Sequence, residues 1–204
     1  MSAVPKRKLT EAEYLVVERA AEFKSEFYDG EMFPLQGPGG PQGMAGASRQ
    51  HCDLVSNLHF EIASRLRGTP CRTAVGDQRV RVDRTRIYTY PDLLIACGPR
   101  AFAPDDPDTL LNPQVVIEVL SPSTESYDRG GKFAHYQRLP SVREYVLVSQ
   151  DRIRVERFVR QPDETWVLTT FDDPAGEFVL ATVPVRVPLT DVYRDVELPD
   201  PPPR

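Results

Sequence analysis

One acidic residue stands inside an apolar segment where its charge needs a compensating partner. Glu118 lies in the middle of QVVIEVL (residues 114–120), a run typical of a strand that is buried on both faces. Burying this carboxylate alone would cost several kcal/mol. A metal ion, an Arg or Lys partner, or protonation of the carboxyl group could each compensate it. Glu118 is therefore the first candidate for a functional residue.

Asp92 is the second candidate, because it begins another apolar run in YPDLLI (residues 90–95). Pro91 cannot donate to a strand ladder, so it marks an irregularity at this point. If the two strands are neighbours, Asp92 and Glu118 converge on one hard cation, since magnesium takes one or two carboxylates together with waters and phosphate oxygens. The pair predicts a metal site of the phosphodiesterase kind.

A hairpin near the N-terminus offers a further acid. The Asp-Gly pair at 29–30 supplies the positive φ values of a two-residue turn, and in that register Glu26, Tyr28, Glu31 and Phe33 share one sheet face. Either glutamate could turn towards the metal site, and the alternative is that both are ordinary surface residues. Glu26 is favoured because it is farther from the turn.

His51 lies on the apolar face of a predicted helix over residues 49–66, so it points towards the sheet. A histidine in such a position is usually a hydrogen-bonded core residue. The other interpretation is that it borders the site as a proton carrier or phosphate contact.

The remaining pattern predicts a sheet-centred fold. A capping box at Thr10 and Glu13 predicts a helix over 10–22, and a third helix is predicted at 128–139. Strands are predicted at 71–82, 86–97, 114–120, 144–149, 152–159, 165–171 and 178–183. The class is α/β (α+β), a mixed β-sheet core flanked by helices with an antiparallel C-terminal meander. We expect a flexible N-terminus at 1–9, one domain over 10–195 and a Pro-rich disordered tail at 196–204.

Composition narrows the functional classes. The chain has 204 residues, of which 40% are apolar and 27% charged, as in a globular protein without an apolar run long enough for a membrane span. We therefore expect a cytoplasmic protein. The net charge of −5 disfavours a protein that coats nucleic acid non-specifically, although seven Arg between 65 and 86 form a local basic stretch. Three widely spaced cysteines predict reduced, partly buried thiols.

Several of these residues occur in an order that closely resembles the Uma-two family over roughly residues 10–190. The matching residues are Asp29-Gly30-Glu31, His51, Pro91-Asp92-Leu93, the segment EVLSPST at 118–124, Asp128, Lys132, Tyr136 and Arg143-Glu144-Tyr145. That family has the PD-(D/E)XK restriction endonuclease-like nuclease fold and is bacterial. The resemblance implies that Asp92 and Glu118 bind Mg²⁺ or Mn²⁺.

One departure from the superfamily pattern concerns its lysine. The pattern has Lys two residues after Glu118, and here that position is Leu120, which cannot stabilise developing charge. Lys132 is the candidate replacement, with Asp128 and Tyr136 on the same helix face. The alternative is a solvent-exposed Asp-Lys helix pair.

The resemblance implies a metal-dependent endonuclease acting on DNA, with Asp92, Glu118, Lys132, Glu26 and His51 as catalytic residues. A nuclease fold kept as an inactive binding or interaction module is the first alternative, with the basic stretch 65–86 holding nucleic acid or a partner. A carboxylate pair that hydrolyses a sugar is the second. Exposed strand edges would also allow a homodimer, but no residue pattern specifies its interface.

Overall fold

Two six-stranded sheets form the fold, and the computed structural model describes it over residues 7–35 and 48–199. The strands are β1 (Ser25–Tyr28), β2 (Glu31–Pro34), β3 (Cys71–Val75), β4 (Arg79–Val82), β5 (Ile87–Thr89), β6 (Leu93–Cys97), β7 (Phe102–Ala103), β8 (Asp106–Leu110), β9 (Val115–Leu120), β10 (Glu144–Ser149), β11 (Val155–Arg160), β12 (Trp166–Phe171), β13 (Glu177–Val179) and β14 (Arg186–Pro188). The helices are α1 (Glu11–Ala20), α2 (Arg49–Arg65), α3 (Glu125–Tyr127), α4 (Phe133–Tyr136) and α5 (Leu189–Val192), with a π-helical turn (Asp128–Lys132) between α3 and α4.

The strand order confirms a mixed sheet with an antiparallel C-terminal meander. The first sheet has the order β2-β1-β5-β4-β8-β7, and the second has β12-β11-β10-β9-β6-β3. In the second sheet β9 and β10 are parallel and joined through the helical segment 125–136, whereas β10, β11 and β12 follow one another antiparallel. A small third sheet pairs β13 with β14.

The chain crosses between the two large sheets five times from β2 to β9, and two of these crossings interrupt strands that the sequence predicts as continuous. The run 71–82 divides into β3 and β4 at Gly76, where φ is +44°. The run 86–97 divides into β5 and β6 around Pro91, which has no N–H to donate. Strands β7 and β8 were not predicted. The crossing from β5 to β6 places Asp92 at the junction of the two sheets.

Other local predictions agree closely with the structure. The hairpin β1–β2 turns at Asp29 and Gly30, whose φ values are +48° and +82°. The capping box of Thr10 and Glu13 begins α1. The helix predicted at 128–139 instead covers 125–136 and contains the π-helical turn.

Other elements of the fold cover both faces of the second sheet. Leu54, Leu58 and Ile62 of α2 pack on one face together with residues of β13, β14 and α5. On its other face lie Val80 of the first sheet and Tyr136 of α4, along with other side chains of these elements. These layers bury β6, β9 and β10, which explains why their sequences are almost wholly apolar.

The prediction of three reduced, partly buried cysteines is wrong. Cys71 and Cys97 form a disulfide, because the antiparallel register of β3 and β6 places them opposite each other with 3.9 Å between their Cα atoms. Cys52 is a free thiol and is exposed. A separation of 26 residues gives no indication of this pairing in the sequence.

The predicted flexible N-terminus and Pro-rich tail fall mostly outside the described residues. Of the described parts, Leu9 donates its N–H to the Gly30 carbonyl at 2.8 Å, and Val196 and Leu198 pack against the core beneath α2. Across the described ranges, none of the helices combines the length and the apolar character that crossing a membrane would require.

Candidate active site

The register of β6 and β9 brings Asp92 and Glu118 opposite each other. The last ladder pair is Leu93 with Ile117, and one further step along both strands reaches the two acids. Side-chain hydrogen bonds continue the ladder there: the Val119 N–H donates to Asp92 Oδ2 at 2.8 Å, and the Asp92 N–H donates to Glu118 Oε2 at 3.3 Å. The two carboxylates are therefore held by each other's strands.

An ammonium group compensates the buried charge of Glu118. Lys132 Nζ lies 2.9 Å from Glu118 Oε1 and 3.6 Å from Glu26 Oε1. It is also 3.8 Å from Asp128 Oδ1. Glu118 and Lys132 are 2% and 6% exposed, and Asp128 is buried as well. The alternative of a solvent-exposed Asp-Lys pair is therefore wrong, and among the three compensating partners considered for Glu118 the structure provides the lysine.

The π-helical turn carries both Asp128 and Lys132 to the buried side of the helical segment. Turns of this type are rare in proteins, and those that do occur are often found at functional sites. Tyr145 of β10 holds the turn by donating its hydroxyl to the Asp128 carbonyl at 2.9 Å. A Cβ atom at Gly131 would come within 3.1 Å of the Tyr127 ring, so glycine allows that ring to lie close against the turn.

Glu26 reaches the same cluster from the first sheet. Its Oε1 accepts a hydrogen bond from Thr89 and its Oε2 accepts one from Tyr127 at 2.9 Å. Glu26 is buried whereas Glu31 is exposed, which agrees with the preference for Glu26 over Glu31. No sequence feature predicts Tyr127 as a neighbour of this site.

His51 approaches from the first turn of α2, which Ser48 caps by accepting the His51 N–H. Its Nε2 lies 3.2 Å from Asp92 Oδ2. Burial lowers the pKa of His51, but the hydrogen bond and charge of Asp92 outweigh it and leave the pKa above its usual value. Burial raises the pKa of Asp92, and His51 and Lys132 outweigh that effect, so this pKa lies below its usual value.

The cluster as a whole has an excess of negative charge. It contains four carboxylates and two basic side chains, namely Asp92, Glu118, Glu26, Asp128, Lys132 and His51. With all four carboxylates ionised and both bases protonated, the cluster carries two negative charges. Burial raises the pKa of Glu118 well above its usual value, and nearby carboxylates add to this although Lys132 opposes it. One divalent cation would cancel the excess.

The oxygens of the facing acids fit such a cation. Asp92 Oδ1 accepts no hydrogen bond from the described residues, and Glu118 Oε1 is buried with only the ion pair to Lys132. Within ranges 7–35 and 48–199, no three His, Cys, Asp or Glu side chains form a metal-binding group. Two carboxylates with waters and substrate oxygens are nevertheless a normal ligand set for Mg²⁺.

Comparison with known proteins gives the family. A model of Uma2, described as "Putative restriction endonuclease", matches residues 11–190. The chain belongs to the Uma2 family. This Uma2 chain is 32% identical over 194 residues to "Uncharacterized protein slr1290" of Synechocystis sp., covering 94% of this chain and 95% of that protein. It is 34% identical over 161 residues to "Uncharacterized protein sll1609" of the same organism, covering 79% of this chain and 86% of that protein.

A solved structure confirms the fold of this Uma2 protein. The crystal structure of a "putative nuclease belonging to DUF820" from Anabaena variabilis superposes with a TM-score of 0.67 and 19% sequence identity. The match covers 89% of this chain and 96% of the other. At this level of identity the comparison establishes the fold.

Glu144 illustrates an acid of the family pattern that lies outside the cluster. It is the first residue of β10, the predicted strand that pairs in parallel with the strand of Glu118, and it is fully buried. Its two oxygens accept the N–H groups of Ala181 and Thr182, so it fixes the loop between β13 and β14. Glu144 therefore has a structural role in holding this loop.

Proposed function

We propose that this Uma2 protein is a metal-dependent endonuclease that hydrolyses phosphodiester bonds in DNA. The observation that carries the proposal is the facing pair of Asp92 and Glu118 with the Lys132 ammonium 2.9 Å from Glu118. Family membership supports hydrolysis of the nuclease type. We infer the requirement for a metal from the charge of the cluster, and the choice of DNA from the description of the family as a putative restriction endonuclease.

Asp92 and Glu118 would hold Mg²⁺ or Mn²⁺ through Asp92 Oδ1, which accepts no hydrogen bond from the described residues, and through Glu118 Oε1, which Lys132 would share with the cation. A divalent cation at this position supplies Lewis acidity towards the scissile phosphate and activates water. The hydrogen bonds from the Val119 and Asp92 N–H groups fix both carboxylates before any ligand arrives. The chain itself therefore supplies two carboxylates that are already positioned and are largely shielded from water.

Lys132 would stabilise the negative charge that develops on the phosphoryl group, in place of a lysine at the position of Leu120. Leu120 is buried in the apolar core and has no polar group to offer. Both oxygens of Glu26 accept hydrogen bonds from Thr89 and Tyr127. Glu26 therefore positions the lysine better than it could bind a cation.

His51 would assist from the rim. With Nε2 protonated it donates to Asp92 Oδ2, which leaves Oδ1 of the same carboxylate free for a cation. This bond orients the acid, and the partial exposure of the imidazole also allows it to exchange a proton with solvent or substrate.

The alternative of a pure binding module loses support from the basic stretch 65–86. Arg79 is buried against Asp106 and does not face solvent. Arg81 is mostly buried and pairs with Asp83 and Asp105. Two of the seven arginines of this stretch therefore bind acidic side chains, Arg79 the buried Asp106 and Arg81 the exposed Asp83 and Asp105, which reduces the basic surface that the stretch presents.

The experiment that tests the proposal is cleavage of supercoiled plasmid and single-stranded oligonucleotide by the purified protein, with Mg²⁺, with Mn²⁺ and with EDTA. Cutting with either metal and none with EDTA is the expected result. Binding of DNA without cutting under any metal condition would favour the binding module.

A further inference from the structure

Exposed aromatic side chains continue from the acidic cluster along one face of the hairpin. Glu26 pairs with Phe33 across the ladder, and Tyr28 pairs with Glu31. Residues directly opposite each other and residues two apart share a sheet face, so all four belong to one face. Glu26 is buried at the cluster, whereas Tyr28 and Phe33 are 42% and 48% exposed.

Tyr127 extends this surface from the helical segment. Its ring lies against Gly131, its hydroxyl donates to Glu26 Oε2, and the side chain is still 39% exposed. These two contacts hold the ring in one position beside Glu26, which lies 3.6 Å from Lys132 Nζ. An aromatic ring that is both fixed and exposed can contact a ligand at little cost in conformational entropy.

Tyr28 is also held, because its ring meets His135 of α4 edge-on with 4.7 Å between the ring centroids. Five aromatic side chains are prominently exposed in the described residues: Phe23, Tyr28, Phe33, Phe60 and Tyr127. Three of the five lie on or beside the face that leads to Glu26. Their concentration next to a proposed phosphate site requires a chemical explanation.

We propose that Tyr28, Phe33 and Tyr127 form a stacking surface for unpaired nucleobases, so that the DNA is single-stranded where it is cut. This inference rests on the proposed nuclease function. Bases in a duplex hide their faces in the helical stack, whereas unpaired bases can stack on aromatic side chains regardless of sequence.

The charge on this face also favours bases over backbone. The exposed Glu31 carboxylate lies beside Tyr28 and repels phosphate at the outer end of the surface. Lys132 and the proposed cation attract phosphate at the inner end. A DNA single strand that binds along this face would therefore place its bases on the aromatic rings and one phosphate at Asp92 and Glu118.

The test is fluorescence anisotropy with a labelled single strand, the matching duplex and a single strand of abasic sites, with Ca²⁺ replacing Mg²⁺. Wild type is compared with Tyr28→Ala/Phe33→Ala, and Phe60→Ala is the control because Phe60 is 65% exposed on α2, far along that helix from His51. Thermal melting verifies that each variant is folded. If the double variant does not fold, Phe33→Ser alone carries the test.

We expect wild type to bind the single strand more tightly than the duplex, and the double variant to lose about 10-fold or more on the single strand. The abasic strand should bind wild type and double variant equally, and Phe60→Ala should resemble wild type. Equal or tighter binding of the duplex, or unchanged binding by the double variant, would overturn the inference.

Plasmid cleavage with Mg²⁺, run in parallel, separates the two proposals. Cutting of duplex DNA at the same rate by wild type and the double variant would contradict the stacking surface and leave the nuclease proposal intact. Base-dependent binding that the variant loses, without cutting of any DNA, would support the stacking surface and contradict hydrolysis.

Discussion

Lys132 Nζ lies 2.9 Å from Glu118 Oε1, although the two residues belong to different elements of the fold. The strand that carries Glu118 has Leu120 where the superfamily pattern has a lysine. The π-helical turn after that strand returns an ammonium group to the same carboxylate from another direction. The structure therefore places a lysine beside Glu118 although position 120 is a leucine.

Replacing Lys132 by Met should destabilise the protein strongly, because three buried carboxylates would lose their shared cation. We expect the free energy of unfolding to fall by about 3–5 kcal/mol, as when one partner of a buried ion pair is removed. Urea unfolding of Lys132→Met measures this, with the exposed Lys8→Met as the matched control. Equal losses in the two variants would show that Lys132 does not compensate the cluster.

Asp106 should make the fold sensitive to acid. Burial raises the pKa of Asp106, but hydrogen bonds from Thr109, Arg79 and Arg19 outweigh it and lower the pKa to about 2 from an ordinary value of 3.8. A carboxyl group whose folded pKa is depressed stabilises the fold above its unfolded pKa, and this contribution disappears as the pH falls through its folded pKa. Wild type should therefore lose about 2 kcal/mol through this group as the pH falls from about 4 to 2.

Urea unfolding of wild type and Asp106→Asn across this pH range checks the prediction. The Asn variant should be less stable at neutral pH, because Arg79 remains buried without its partner, and should show the shallower decline towards pH 2. Parallel declines for the two proteins would mean that another group is responsible.

Glu144 should contribute to stability without contributing to catalysis. Glu144→Ala removes a fully buried acceptor that binds two N–H groups of the β13–β14 loop, which should cost about 2–4 kcal/mol because each hydrogen bond to a charged group contributes about 1.5–3 kcal/mol. The cleavage rate per folded molecule should equal that of wild type, since the side chain makes no contact with the acidic cluster. Circular dichroism and plasmid cleavage at a temperature where the variant is folded measure both quantities. A rate loss without a stability loss would move Glu144 into the active site.

Reduction should weaken the second sheet at β3 and β6. The Cys71–Cys97 disulfide closes a loop of 26 residues, for which the chain-entropy account gives about 3 kcal/mol. Melting with and without a reductant should therefore differ for wild type and for Cys52→Ser, whose thiol is free, but not for Cys71→Ser. A Cys71→Ser variant as sensitive to reductant as wild type would contradict this.

Burial of acids in apolar runs identified Asp92 and Glu118 as candidates, because an acid between aliphatic residues cannot remain uncompensated, and their convergence was predicted on the condition that the two strands are neighbours. The register of β6 and β9 confirms the neighbourhood on which that prediction depended. The position of Lys132 depended on family resemblance, since an Asp-Lys spacing on a helix fits an exposed pair equally well. Tyr127 had no distinguishing pattern, because its contacts arise from the π-helical turn.

The crossings between the sheets explain what the pattern of apolar residues missed. Runs 71–82 and 86–97 contain Gly76-Asp77 and Pro91-Asp92 at their crossings, but strand-forming residues continue on both sides, so a change of sheet looks the same in the sequence as a local irregularity within one strand. The disulfide follows from the antiparallel register of β3 and β6, and the sequence gives no sign that these two strands pair. Local turn and cap chemistry, in contrast, predicted the β1–β2 hairpin and the start of α1.

The central claim is that Asp92 and Glu118 form a metal-dependent hydrolytic site. The direct measurement is the initial rate of plasmid and single-strand cleavage with Mg²⁺ or Mn²⁺ by Asp92→Asn and Glu118→Gln, with the exposed Asp172→Asn as control. We expect both site variants to remain folded and to lose at least about 100-fold in rate, while the control cuts like wild type. Folded site variants that cut at the wild-type rate would contradict the account.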